Sequence, residues 1–238
     1  MKPARVHSWN ISPNEATAIQ NNLREKVVVS PINKEVRYVG GTAVTFDTNN
    51  NIIHAALSVL SYPGLELVEQ MGISQEIRFD YISGLLAFRE GAPLMSLFRK
   101  IDQDVDVVLF HSHGQAHPRR FGLASHLGVL LDVPSIGVSN KILVGHYEHL
   151  SEERYSESHI VYDDETIGVS LRSKEKTKPI YISVGHKVDL SSSTELIKGL
   201  VKKYRFPEPI RLSRLAADQQ KDGKLVDMKK KSGQTSLF

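Results

Sequence analysis

Apolar and polar positions divide the chain into segments of two periods. Ser12-Pro13-Asn14-Glu15 puts a hydroxyl at a helix cap, proline at the first helical position and glutamate three residues after the cap. Those side chains satisfy amide donors that a helix leaves free at its start, and they predict a helix from there to about Lys26, with Pro31 beyond its end. Two β-rich runs, Val36 to Phe46 and Ile52 to Leu60, flank Asp47-Thr48-Asn49-Asn50-Asn51, a turn-rich break that predicts an antiparallel hairpin. Leu65 to Gln70, after Tyr62-Pro63-Gly64, reads as a third strand. The pattern then alternates: a helix from about Ala92 to Ile101, a strand over Val105 to Phe110, a helix over Gly122 to Leu131 and a strand over Ser135 to Val138. Ile180 to Val184 is a further short strand, and Ser191-Ser192-Ser193-Thr194 leads into a helix ending near Tyr204. Strands that are apolar throughout and lie between helices are buried on both faces, the mark of a parallel segment of sheet. The expected fold class is therefore α/β: a mixed sheet, antiparallel hairpin plus parallel strands, with helices on both faces. From about Asp218 apolar periodicity is lost and Lys229-Lys230-Lys231 appears, so the expected division is one folded domain over 1–217 and a flexible basic tail over 218–238.

Composition narrows the class of chemistry more than the fold. With 238 residues, 40% of them hydrophobic, the chain can bury a substantial core. No apolar run approaches the roughly 20 residues of a membrane helix, and Met1-Lys2-Pro3-Ala4-Arg5 leads into polar sequence rather than a signal peptide; the expectation is a cytoplasmic monomer without membrane contact. The absence of cysteine removes disulfides, thiolate metal sites and thiol nucleophiles together, leaving carboxylate, imidazole, amine and hydroxyl groups. A net charge of +3 is compatible with a polyanionic partner without requiring one.

Functional groups in open α/β sheets collect where parallel strands end and helices begin. The segment after Phe110 reads His111-Ser112-His113-Gly114-Gln115-Ala116-His117-Pro118-Arg119-Arg120, three imidazoles and two guanidiniums on one loop before a helix. Such a density of donors points to an anion or metal site, the alternative being a solvated polar loop.

This loop and its surroundings resemble the endonuclease V family. The likeness is carried by Leu65-Glu66-Leu67-Val68-Glu69, by Tyr81-Ile82-Ser83-Gly84-Leu85-Leu86-Ala87-Phe88-Arg89-Glu90, by His113-Gly114 with His117-Pro118-Arg119-Arg120, and by Gly122-Leu123-Ala124-Ser125-His126-Leu127-Gly128. It continues through Asp132-Val133-Pro134-Ser135-Ile136-Gly137-Val138, Gly185-His186-Lys187-Val188 and Tyr204-Arg205-Phe206-Pro207-Glu208-Pro209. The resemblance implies an RNase H-like fold and hydrolysis of the second phosphodiester bond 3′ to a deaminated adenine (inosine), with Mg²⁺ or Mn²⁺ held by carboxylates against the phosphate. It also implies a wedge, Tyr81-Ile82-Ser83-Gly84, that separates strands while the altered base leaves the stack; the family's proline at its third position is Ser83 in this chain.

Carried over residue by residue, the catalytic pattern is broken. Glu90 stands where the family has its glutamate, but the first-strand aspartate falls at Ala43 and the aspartate after the parallel strand at His111. The expected lysine falls at Asn140, with Lys141 beside it, and the late histidine or aspartate falls at Arg214. Glu90, His117 and Lys141 are the residues assigned to catalysis, and Glu90 with His111, aided by His113 or His117, to a softer metal ion; the alternative is that the histidines bond loop backbone. Arg214 can instead set a fixed positive charge against phosphate. Tyr81, Ile82, Ser83, Gly84, His113, Gly114, Arg119 and Arg120 are assigned to nucleic acid. The last residues, with Gln234, Leu237 and Phe238, resemble the bacterial sliding-clamp pentapeptide, which implies a clamp partner and favours DNA as substrate. Three functions stay open: a nuclease with altered metal use, a non-catalytic binder of inosine or distorted DNA that recruits partners, and an unrelated enzyme on the same fold.

Overall fold

The structure, a computed structural model, describes residues 7–229. The chain enters through α1 (Pro13–Arg24), whose Ser12 and Glu15 form the expected reciprocal cap. β1 (Tyr38–Asp47) and β2 (Ile52–Ser61) pair antiparallel from Asp47↔Ile52 to Tyr38↔Ser61. β3 (Leu67–Glu76) pairs along β2 and outruns the expected end at Gln70, because β2 extends to Ile52, whose partner is Glu76. After α2 (Leu86–Phe98) come β4 (Val107–Phe110), α3 (Leu123–Leu131) and β5 (Ser135–Ser139). Then follow β6 (Glu157–Tyr162), β7 (Glu165–Leu171), β8 (Ile180–His186), α4 (Leu190–Leu200), α5 (Glu208–Lys221) and β9 (Met228–Lys229).

Among the described residues these strands form one sheet in the order β6-β7-β8-β5-β4-β1-β2-β3-β9. Only β1, β4 and β5 are mutually parallel, and they lie at its centre. Alternation along β4 divides the core: Val108 and Phe110 face Phe88, Leu97 and Leu127 of α2 and α3, whereas Val107 and Leu109 face Ile197, Leu200 and Ile210 of α4 and α5. Helices therefore cover both faces, as the alternating pattern required.

Several elements differ from the expectation. α2 begins at Leu86 rather than near Ala92, so Pro93 sits inside it; burial of Phe88, Leu94 and Leu97 outweighs a proline cost of about 3 kcal/mol. β6 and β7 were not anticipated as strands, yet Asp163 and Asp164, at φ +52° and +60°, make the two-residue left-handed turn that suits a twisted hairpin. α5 was also missed, because its buried side includes Ser213, Ala216 and Ala217, small groups that give little apolar periodicity while letting the helix lie close on β1 and β2. The boundary expected at Asp218 consequently cuts through α5, and Met228–Lys229 extends the sheet beside β3. The clamp-like residues Gln234, Leu237 and Phe238 lie outside the described residues. No helix among the described residues is long and apolar enough to cross a membrane.

Candidate nucleic-acid-binding site

The loop that follows β4 is fixed to the sheet rather than solvated. The His111 amide donates to the Thr42 carbonyl of β1 (3.2 Å), the Gly114 amide to Ser183 Oγ (2.8 Å) and the Gln115 amide to the Val184 carbonyl (2.7 Å). Gly114 is required here, since a Cβ at that position would stand 2.0 Å from the Val184 carbonyl oxygen. Pressed onto β8 in this way, the loop can aim its side chains.

His113 donates from Nε2 to the Lys141 carbonyl (2.8 Å), and burial lowers its pKa against the opposing pull of that bond. His117 donates from Nε2 to the Gly84 carbonyl (3.0 Å) while its Nδ1 accepts the Arg119 amide (3.1 Å). Burial first, then the Arg119 charge, pushes its imidazole down to about 4, so it is neutral at ordinary pH. Arg119 donates to the same Gly84 carbonyl (2.6 Å) and to Gln20 Oε1 (2.7 Å), and the Gln20 amide donates to Gly84 as well (3.0 Å). Three donors thus converge on one carbonyl of the wedge turn. Gly84 adopts φ +80°, and the convergence fixes a turn in which Ser83 supplies none of proline's stiffness. Arg120 reaches the Tyr162 carbonyl and Glu165 (both 2.9 Å). Both loop guanidiniums therefore have protein partners, Arg119 on the Gly84 turn and Arg120 on the β6–β7 hairpin.

The turn Tyr81-Ile82-Ser83-Gly84, expected to be a wedge, is presented to solvent at its first residue. Tyr81 is 71% exposed, and behind it Ile82, Ser83 and Gly84 line a cavity of about 110 Å³ with His113, His117 and Leu123 at the start of α3. Gln20 is a member of this site that the sequence reading did not single out. It is 1% exposed and lies on the same helical stripe as Ala16, Ile19 and Leu23; an amide among apolar neighbours at that spacing was the available signal.

The positions that answer to metal chemistry have a different character. Ala43 is buried opposite Ala56, on the face where α5 packs. Glu90, carried by α2 on the other face, is 6% exposed and has no hydrogen-bond partner among the described residues; burial pushes its carboxyl up to about 8, against a smaller lowering by Arg89. His111 meets the Phe206 ring edge-on at 5.2 Å. Burial, then the charges of Arg214, His113 and Arg205, pushes His111 down to about 4. Arg205 and Arg214 stand over the same ring, at 5.2 and 5.4 Å from its centroid. Asn140 and Lys141 are exposed on the loop after β5, and it is the Lys141 carbonyl, not its amine, that receives His113. Among the described residues no group of three or more His, Asp or Glu side chains is placed to hold a metal ion. Of the histidines expected to aid Glu90 and His111 at a softer ion, His113 and His117 each have Nε2 engaged by a backbone carbonyl.

Comparison with known proteins agrees with the layout. The chain is 39% identical over 230 residues to endonuclease V of Rippkaea orientalis, covering 97% of this chain and 100% of that one, and 38% identical to endonuclease V of Thermosipho melanesiensis, covering 90% and 93%. Its fold superposes on the crystal structure of endonuclease V from Streptomyces avermitilis with a TM-score of 0.86 at 32% identity, covering 94% of this chain and 99% of that one. It also matches Ciona intestinalis endonuclease V in complex with a 24mer DNA containing an inosine followed by a ribo-adenosine, with a TM-score of 0.78 at 28% identity over 88% of this chain and 98% of that one. The fold is thus the RNase H-like fold of these proteins. With the family model for endonuclease V matching residues 21–215, the chain belongs to the endonuclease V family.

Proposed function

We propose that this protein binds DNA at deaminated adenine (deoxyinosine) and does not carry out the family's metal-assisted cut. The observation that carries the reading is a contrast between two sets of positions: an exposed Tyr81 stands before a cavity whose turn is held by three donors, while the positions given to a metal keep one carboxylate. Extruding a base costs a few kcal/mol, and a rigid aromatic wedge offsets it by stacking where the base was. The inosine-bearing DNA held by the Ciona intestinalis relative supports the substrate class.

The family's chemistry depends on a metal, and this donor set does not fit one. A hard divalent cation wants several oxygen ligands, and the position beside His111 instead faces two guanidiniums. No hydrolytic step can be routed through these residues.

The test uses the native protein with matched duplexes containing deoxyinosine or adenine, in Mg²⁺, Mn²⁺ or Co²⁺, with Glu90→Ala as control. The expected result is tighter binding to the inosine duplex and no nicking with any ion. Nicking at the second phosphodiester bond 3′ to inosine that Glu90→Ala abolishes would return the protein to the nucleases. Equal affinity for both duplexes would remove the recognition reading.

A further inference from the structure

We propose that the positions which the family resemblance gives to a metal ion form, in this chain, a metal-independent site for a backbone phosphodiester, built from Arg214 and Arg205 over the Phe206 ring. The proposal rests on the DNA-binding reading above and names the group that this part of the cleft contacts.

Three basic side chains meet one aromatic ring. Phe206 is buried, the Arg205 and Arg214 guanidiniums lie 5.2 and 5.4 Å from its centroid, and the His111 imidazole meets it at 5.2 Å. The negative face of a phenyl ring steadies a guanidinium without neutralising it. Arg205 anchors one end by donating to the Pro179 carbonyl (2.5 Å), yet its buried Nε has no partner. Arg214 is exposed, and no carboxylate among the described residues forms an ion pair with it. The acids nearest along α5 are already engaged: Glu208 is held by Arg211 at 2.5 Å, and Asp218 accepts the Thr45 hydroxyl at 2.5 Å. Arg214 lies over the same ring as Arg205 and disfavours its charge, and both disfavour that of His111, so this part of the site carries a positive field that an anion relieves and a divalent cation worsens.

Guanidinium recognises phosphate through two parallel N–H donors, a planar match that an ammonium lacks. The geometry around the site suits a chain of phosphates more than a single one. Lys202 and Lys203 are exposed just ahead of Arg205, and Arg211 covers the Tyr204 ring at 4.5 Å, so cationic groups continue along the connection from α4 into α5. On the other strand end, His111 sits at the end of β4 beside β1, on the side that α5 covers. A backbone lying across the end of β4, beside Thr42 of β1, would meet Arg214.

The experiment is a salt titration of binding to the deoxyinosine duplex in EDTA and again in Mg²⁺, for the native chain, Arg214→Ala and Arg214→Glu. Arg214 is exposed, so the variants should fold; thermal unfolding checks this. The expected result is that the native chain binds as well in EDTA as in Mg²⁺. Arg214→Ala should weaken binding to inosine and adenine duplexes alike and reduce the slope of log affinity against log salt by about one, and Arg214→Glu should weaken it further. Binding that requires Mg²⁺, or a salt slope unchanged in Arg214→Ala, overturns the phosphate site. The preference for inosine over adenine is read separately from the ratio of the two affinities, so loss of that ratio with an intact Arg214 effect would strike the recognition reading alone.

Discussion

Glu90→Gln is the substitution whose effect the structure defines most sharply. The carboxyl is 6% exposed, without a hydrogen-bond partner among the described residues, and shifted from 4.5 to about 8. In the unfolded chain the same group ionises near its ordinary value. Between those two pH values the unfolded state releases a proton that the folded state retains, so the native protein loses stability as pH rises and levels off above about 8. Below the unfolded pKa both states are protonated and the contribution is fully present. A shift of about 3.5 units at ~1.4 kcal/mol each amounts to about 5 kcal/mol, a large share of the roughly 5–15 kcal/mol that holds a domain folded. Glutamine copies the shape of the neutral acid and cannot ionise.

The assay is urea unfolding of both proteins at about pH 5, 7 and 9. The midpoints should nearly coincide at the lowest pH and separate progressively as pH rises, with Glu90→Gln the more stable. His111 and His117, whose depressed pKa values remove stability as pH falls from their ordinary value toward about 4, act equally in both proteins and cancel in the difference. Parallel pH profiles would refute the claim that Glu90 is a neutral, unpartnered acid. A Mg²⁺ arm separates this from metal binding: an ion on Glu90 at 100 times its Kd would stabilise the native protein by about 2.7 kcal/mol and spare the variant. No such difference is expected.

Two further substitutions address the wedge. Tyr81→Ala should leave the melting temperature unchanged, because the ring is 71% exposed, and should reduce inosine affinity by roughly 5- to 150-fold, the equivalent of ~1–3 kcal/mol of lost stacking measured by fluorescence anisotropy. Gln20→Leu removes one donor from the Gly84 carbonyl and the acceptor of Arg119 Nε; it should cost about 1–3 kcal/mol in urea unfolding and, by loosening the turn, lower the preference for inosine without changing the salt slope.

What the sequence made legible follows from the range over which each signal acts. The α1 cap and the β1–β2 hairpin are local: Ser12 reaches Glu15, and turn residues separate two apolar runs. The missed elements owe their form to distant partners. α5 is held to the sheet by Ser213 donating to the Gly41 carbonyl (2.6 Å) and by the close approach of Pro209 to Gly41, where a Cβ would lie 2.3 Å from backbone. Neither contact leaves a period in the sequence. The wedge was legible as a family pattern, but the reason it is rigid was not, since Gln20, Gly84 and Arg119 are far apart along the chain. The same holds for the cation cluster: the substitutions at 111 and 214 could be read one at a time, whereas their meeting on Phe206 needed the fold.

That meeting also implies that the changes support one another and will not revert singly. Restoring a carboxylate alone, as His111→Asp, would set it among Arg205, Arg214 and the Phe206 ring. At a separation of about 5 Å and an effective dielectric near 20, a carboxylate and a guanidinium attract by ~3 kcal/mol, so the new group should pair with arginine and leave no open ligand for an ion. His111→Asp should therefore show no Mg²⁺-dependent thermal shift and no nicking. Ala43→Asp with His111→Asp and Arg214→His removes one of the two competing guanidiniums, leaving Arg205 tied to the Pro179 carbonyl, and supplies two oxygen ligands; this triple variant should gain Mg²⁺-dependent nicking of inosine DNA, with Asn140→Lys added as a fourth change if turnover is slow. Nicking by the single variant would show that Arg214 does not exclude the ion. Failure of the folded, inosine-binding quadruple variant to nick would show that these four positions are not sufficient for cleavage.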